Sequence, residues 1–421
     1  MKTIKALVYT SALLALLPFL RPHGLAARAW LWMGKLLAGA LAPVLGIVSG
    51  LGGVLGLMRR DWRLAGAGLA GAGLAAKYIG ALPSSQGAFA AAFGPDCVVP
   101  RTRRWSLLAR APGGATWRRN LVYGRNPDTG ADLLADLWAP PPGVPPSGLA
   151  AIYVHGGAWR VGDKDLGTRT FFRRLAAQGH VVLDVAYTLW PKADIPTMVG
   201  EVKQAILWLK ENAGPLGVDP EHTVLMGGSA GGHLALLVAY TPDHPELPPL
   251  TGAGDTSVRG VVAFYPPAEL LDWWEQFQDK ILGHQGHGPQ GLVDRAAEGF
   301  FAKLFMLHSR DLEQDLAFRD LQPAIVGGRP DEIPETYRLL SPLSHVGPHC
   351  PPTLLLHGSD DVFALTPGVR SLHQSLREAG VRAVLVEFPH TDHAFDLVLP
   401  AVSPVAQAAT RDVERFLALL A

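Results

Sequence analysis

The hexapeptide Gly227-Gly228-Ser229-Ala230-Gly231-Gly232 follows directly on the apolar run Thr223-Val224-Leu225-Met226 and leads into His233-Leu234-Ala235-Leu236-Leu237-Val238, a stretch suited to a helix. A buried strand must therefore turn into a helix around a single serine. So tight a turn strains the serine backbone, and side chains two positions before or after it would collide. Gly227 and Gly231 stand at those two places. The strain lifts the Ser229 hydroxyl above the sheet edge, while the new helix aims its N-terminal amides at whatever that hydroxyl meets. A glycine-bracketed serine alone is common in turns; the flanking strand and helix give this one its weight.

At 421 residues the chain exceeds the usual single domain, which predicts one large domain plus an appendage. Its 37 basic residues are balanced by 37 acidic ones and are scattered, so no basic face exists to hold nucleic acid. Cys97 and Cys350 lie far apart without metal-ligand spacing. They are expected as free thiols rather than a disulfide.

The apolar excess sits at the N-terminus. Residues 6–20 are apolar behind Lys2 and Lys5, a pattern that a signal peptide also shows. Residues 36–58 form a second, uncharged run long enough to cross a bilayer. It contains Gly46-Ile47-Val48-Ser49-Gly50, a small-residue spacing that lets membrane helices approach closely. Beyond Arg59, Arg60 and Arg63, residues 64–82 are a third, weaker run whose Lys77 would snorkel to an interface. A cleaved signal does not explain the later runs. Of the two remaining readings, a buried helical hairpin and two or three membrane helices, the second is the expectation: residues 1–90 in contact with lipid, in a multi-pass membrane protein. Arg21, Arg28 and Lys35 make the loop before the second run as basic as the one after it. The charge rule thus leaves the side of the membrane open.

From about Trp117 onward the pattern alternates strands with amphipathic helices, predicting a mostly parallel sheet covered on both faces within residues 91–421. Candidate strands fall at 133–138, 150–154, 181–185, 223–226, 260–264, 353–356 and 383–388; the clearest helices lie at 202–209, 369–376 and 406–420. The proline-rich residues 140–146 read as a surface loop between strands. Residues 268–343 break the alternation and carry Trp273, Trp274, Phe277, Phe300, Phe301 and Phe305. They read as ordinary packing helices or as a helical lid over the serine. Trp159, Trp273, Trp274 and Phe277 are the candidate substrate contacts. His284 and His287 have no further ligand at metal spacing and read as a polar loop.

A serine hydroxyl attacks only when an imidazole takes its proton, and the imidazole needs a carboxylate to fix its tautomer. The chain offers both after later strands: Leu354-Leu355-Leu356-His357-Gly358-Ser359-Asp360-Asp361, then Glu387-Phe388-Pro389-His390-Thr391-Asp392-His393-Ala394-Phe395. Asp361 is preferred to Asp360 because the turn has by then swung toward the sheet top. Asp360 is expected to be solvated or turn-capping. His393 is preferred to His390, expected at the surface, because Ala394-Phe395 can dock its loop; His357 and His233 are expected to be structural. An oxyanion needs donors, and His155-Gly156-Gly157-Ala158-Trp159 follows the strand Ala151-Ile152-Tyr153-Val154. The amides of Gly157 and Ala158, with Gly156 and with Ala230 from the serine turn, are the candidates, His155 holding the loop. No metal or cofactor is called for.

These four motifs resemble the α/β-hydrolase superfamily, and within it the hormone-sensitive-lipase-like and BD-FAE-like carboxylesterase group; Asp184-Val185-Ala186-Tyr187 and Val218-Asp219-Pro220 are similar too. The likeness covers about residues 119–421 and leaves the N-terminal helices outside. It implies an α/β-hydrolase fold, a Ser229–His393–Asp361 triad, a small-molecule ester substrate and an acyl-enzyme route. Ala158 departs from the commoner third glycine, although a backbone donor survives the change. Isoprenylcysteine methylesterases and kynurenine formamidases share similar loops, so the substrate stays unnamed. An amidase or peptidase, or a silent membrane-associated binding module, are the rival readings.

Overall fold

The computed structural model describes residues 1–22, 25–97, 105–110, 112–275 and 320–421, with residues 299, 300, 303, 304, 306, 312 and 316 between the last two. Its centre is an eight-stranded sheet in the order β1-β2-β4-β3-β5-β6-β7-β8. The strands are β1 (Thr116–Arg125), β2 (Asp132–Ala139), β3 (Gly148–Val154), β4 (Val181–Val185), β5 (Val218–Gly228), β6 (Gly260–Phe264), β7 (Thr353–Gly358) and β8 (Ala383–Phe388). From β4 through β3 to β8 all neighbours are parallel, whereas β2 runs antiparallel to both β1 and β4. Every residue of β4, β6 and β7 is buried. That is why these strands read as continuous apolar runs rather than alternating ones. β1 was not legible as a strand. It is a mostly exposed edge carrying Arg118, Arg119 and Asn120, with two register shifts against β2.

Helices flank the sheet: α6 (Arg169–Ala176), α7 (Ile195–Glu211), α8 (Ala213–Leu216), α9 (Ala230–Tyr240) and the later helices Thr366–Glu378 and Pro404–Leu420. α9 is apolar on every side and buried at every residue, as befits a helix enclosed on all faces. Cys97 and Cys350 are free, buried thiols.

Ahead of the sheet stand α1 (Lys2–Leu16), α2 (Leu25–Ala40), α3 (Ala42–Met58), α4 (Trp62–Gly80) and α5 (Gln86–Phe93). Among the described residues, Lys2–Phe19 is one helix long and apolar enough to cross a membrane. The run at 36–58 is not one straight span: it is divided between α2 and α3, which bend by 70° around Leu41. Glycines hold α3 against its neighbours. A Cβ on Gly68 would stand 2.3 Å from the Gly53 nitrogen, one on Gly56 2.3 Å from the Ala65 nitrogen, and one on Gly52 2.2 Å from the Val8 side chain. Gly46 and Gly50 also face α4, but more loosely, at 3.1 Å from Ala75 and 3.7 Å from Ala72. Lys77 lies over the Phe19 ring at 5.2 Å rather than reaching outward.

Candidate active site

The serine turn has the geometry that its glycines require. Ser229 sits at φ 56°, ψ −123° between β5 and α9. A Cβ on Gly227 would come within 2.3 Å of the Gly231 carbonyl oxygen, and one on Gly231 within 2.0 Å of the Val154 oxygen. No rotamer relieves contacts with backbone, so both positions are confined to glycine. The Ser229 amide donates to the Phe264 carbonyl at 2.9 Å, tying the turn to β6.

The three residues expected to form a relay converge on this turn from the ends of β5, β7 and β8. His393 Nε2 stands 2.9 Å from Ser229 Oγ, and His393 Nδ1 stands 2.8 Å from Asp361 Oδ2. The other Asp361 oxygen accepts from the amides of Phe363 and Ala364, both at 2.8 Å. Burial alone would raise the Asp361 pKa, but the neighbouring His393 and His357 together with the Ala364 amide outweigh it and hold the carboxyl below its ordinary value. The acid therefore stays ionised, oriented on the imidazole. Two rings confine that imidazole: Tyr265 at 4.4 Å and Phe363 at 5.2 Å between centroids. The Tyr265 hydroxyl donates to Asp396. Neither ring was singled out from sequence, although Tyr265 directly follows β6, a place where functional side chains gather in such sheets.

The loop after β3 runs beside Ser229. Gly157, Ala158 and Trp159 are consecutive residues at positive φ, 122°, 50° and 57°. A Cβ on Gly156 would lie 3.2 Å from Ser229 Cβ, and one on Gly157 only 1.8 Å from the Val161 oxygen. Close approach to the serine and a left-handed path thus explain the two glycines, and Ala158 adopts a conformation glycine would take more cheaply. His155 Nδ1 is 2.7 Å from the Gly156 carbonyl and its ring stacks on Tyr187 at 4.5 Å, holding the loop. Burial lowers the His155 pKa. His233, likewise structural, faces the Leu340 carbonyl at 2.8 Å and is held neutral by burial, its pKa pushed down to about 4.

A cavity of about 350 Å³ opens over these groups. Gly156, Gly157, Ala158, Trp159, Ser229, Ala230, Trp273 and His393 all border it, and the remainder of its wall is almost wholly apolar: Leu166, Leu304, Leu321, Phe363, Val398 and others. Of the other expected substrate contacts, Trp274 is not among the described lining residues. It is buried, with the Arg329 guanidinium 5.5 Å over its ring. Adjacent residues on a helix point about 100° apart, so Trp273 and Trp274 do not share a face. Phe277 lies outside the described residues, as do Phe301, Phe305, His284 and His287.

The unanticipated part of the wall is α2. Trp32, Met33 and Leu36 border the cavity, and the Trp32 indole donates to the His393 carbonyl at 2.9 Å. Asp360, expected to be solvated or turn-capping, is buried and anchors this helix, while also accepting from Ser359 Oγ within its own turn at 3.1 Å. Lys35 Nζ lies 3.0 Å from its Oδ2, Arg21 reaches its Oδ1 at 2.8 Å, and Arg28 donates to its carbonyl at 2.9 Å. Burial pushes the Asp360 carboxyl up, but Lys35 and Arg21 more than offset this and hold it below its ordinary value. Three cations that read as a basic membrane-flanking loop are thus engaged by one residue of the catalytic region. Breaking a buried pair such as Lys35–Asp360 costs about 3–5 kcal/mol, against about 0–1 kcal/mol for surface pairs. His390 is half-buried, its ring packed on Phe19 at 4.7 Å between centroids.

Comparison with known proteins agrees with this architecture. The BD-FAE family model matches residues 136–294. Esterase LipQ of Mycobacterium tuberculosis is 27% identical over 285 residues, covering 67% of this chain and 59% of LipQ. Esterase LipC of the same organism is 30% identical over 318 residues, covering 75% and 66%. The chain therefore spans roughly three-fifths to two-thirds of the length of these curated relatives. Among solved structures, an esterase of Thermogutta terrifontis with bound propionate superposes with a TM-score of 0.51 at 22% identity, over 72% of this chain and 94% of that one. The chain thus has an α/β-hydrolase fold with a BD-FAE match over residues 136–294, and the proteins it resembles are named as esterases.

Proposed function

We propose that the protein hydrolyses carboxylic esters of lipophilic character through an acyl-enzyme. One observation carries the reading: Ser229 Oγ, His393 and Asp361 form a continuous hydrogen-bonded line at the floor of an apolar cavity. In this reading His393 takes the Ser229 proton as the hydroxyl attacks the ester carbonyl, then gives it to the departing alcohol. Water enters next, and the same imidazole activates it to release the acid. The amides of Gly157, Ala158 and Ala230, with Gly156 beside them, stabilise the tetrahedral oxyanion. One such donor is worth about 3 kcal/mol in related chemistry. Asp361 keeps the imidazole in the tautomer that can accept from serine. The same relay would also cleave amides, and the names of the relatives favour esters.

The apolar wall supports lipophilic substrates. Trp159 and Trp273 are the aromatic contacts this reading retains, and the segment 268–343 supplies part of the cover through Trp273, Leu304 and Leu321. Exposed Leu7, Leu13, Ile47, Leu51, Val54 and Met58 on α1 and α3 support attachment of the N-terminal helices to a lipid surface. Co-flotation with liposomes checks this; protein left at the bottom of the gradient would contradict it.

The catalytic reading is tested with a fluorophosphonate probe and p-nitrophenyl esters of graded acyl length. Labelling of the parent at Ser229, loss of labelling and of turnover in Ser229→Ala with an unchanged melting temperature, and a preference above acetyl are expected. Turnover retained by Ser229→Ala refutes the assignment, and a maximum at acetyl removes the lipophilic element.

A further inference from the structure

We propose that Lys35 is a positioning residue for the Asp361–His393 relay, acting through the two carboxylates that immediately precede those residues in the chain. The inference rests on the functional reading above. Asp360 precedes Asp361, and Asp392 precedes His393; Lys35 Nζ lies 3.0 Å from the first carboxylate and 3.9 Å from the second. All three side chains are at most 5% exposed.

Each carboxylate belongs to the framework that joins the two loops. The Asp360 amide donates to the Thr391 carbonyl at 2.9 Å. Asp392 Oδ1 accepts from the His393 amide at 2.9 Å and from the Val362 amide at 3.1 Å, so one oxygen clamps the residue after the acid to the imidazole-bearing residue itself. The other oxygen, Asp392 Oδ2, is buried and faces Lys35. A compact ammonium is paired with the Asp360 carboxylate at 3.0 Å and set 3.9 Å from the Asp392 carboxyl, which burial and the neighbouring Asp361 push up to about 7. It ties the two groups together, and through the shared amides it fixes the spacing of the loops that present Asp361 and His393. Arg21 also reaches Asp360, but its side chain is 61% exposed, so it cannot hold a buried distance in the same way. The Trp32 indole on the His393 carbonyl completes the contact one helical turn away. An α2 that merely covered the cavity would not require a cation at this point.

The test compares the full-length parent with Lys35→Met and Lys35→Arg, using the fluorophosphonate probe to titrate active serines so that turnover is counted per competent site. Lys35→Met is expected to lower kcat on p-nitrophenyl butyrate by about tenfold or more, with KM changed by less than about threefold, because small misplacement of a relay costs turnover rather than binding. Lys35→Arg, which keeps the charge, is expected to recover most of the loss. An unchanged kcat per titrated serine in Lys35→Met overturns the proposal and leaves a purely structural tether. Should Lys35→Met fail to fold, the same measurement on Lys35→Met/Asp360→Asn, which removes the unpaired charge, decides in the same two ways. A parent that the probe does not label marks the failure of the functional reading instead.

Discussion

The serine turn and the contact of α2 with the catalytic loops lie against the same cavity, yet they are built on opposite principles. The turn is local. Five contiguous residues hold it, and its cost is backbone strain at Ser229, relieved by glycines where any side chain would strike a carbonyl. The α2 contact is long-range. It joins Lys35 to Asp360 across 325 positions of sequence, and its cost is the desolvation of charges, offset only by their pairing. A strained local motif leaves its mark in composition, whereas a buried ion pair leaves none until both partners are seen together.

Two adjacent acids put this contrast to the test one residue apart. Asp361→Asn should lower kcat by about 10³–10⁴-fold, through the wrong imidazole tautomer, while melting close to the parent; turnover within tenfold of the parent would remove Asp361 from the relay. Asp360→Asn should instead act first on stability, because it removes the 3.0 Å buried partner of Lys35 and leaves it only the Asp392 carboxyl at 3.9 Å. A loss of about 3–5 kcal/mol in denaturant unfolding is expected, and an unchanged midpoint would show that α2 is held by apolar packing alone.

A smaller effect comes from His233 beneath the serine turn. Its folded pKa, near 4, lies below the ordinary 6.5, so its stabilising contribution is complete above about pH 6.5 and is lost as pH falls toward 4. About 2–3 kcal/mol should disappear over that window, and His233→Gln should flatten the slope of melting temperature against pH. Equal slopes in both proteins would exclude His233 as a source. Smallest of all, Ala158→Gly should be neutral or stabilising by up to about 1 kcal/mol, since φ 50° suits glycine better. A fall in melting temperature would mean that the methyl group contributes packing that the backbone geometry does not reveal.

Much of the molecule was legible because the sheet concentrates information at strand ends. The runs at 150–154, 181–185, 260–264 and 383–388 appear as strands at or within a few residues of those limits. Ser229, Asp361 and His393 were chosen by position after such strands, and the fold draws them within hydrogen-bonding distance. Where reading failed, the cause was non-local. Asp360 sits in a polar turn, which in sequence reads as solvent; only α2 closing over it makes it buried. Lys35, Arg28 and Arg21 read as topology signals because nothing near them in sequence is acidic. The glycines of α3 were legible as a packing stripe, but the tightest approaches fall at Gly52, Gly53 and Gly56 rather than at Gly46 and Gly50. Trp273 and Trp274 could be separated only by the phase of a helix whose start was not legible.

Because one face of α2 forms part of the cavity while Lys35 grips the turn beside Asp361, the leading hundred residues are a poor place to cut. A shortened version prepared for ease of handling would lose the floorboards along with the porch: its substrate chamber would gape to solvent and Asp360 would be left without its buried cation. Chain-length preferences measured on such a fragment would describe a different vessel from the one the whole polypeptide builds.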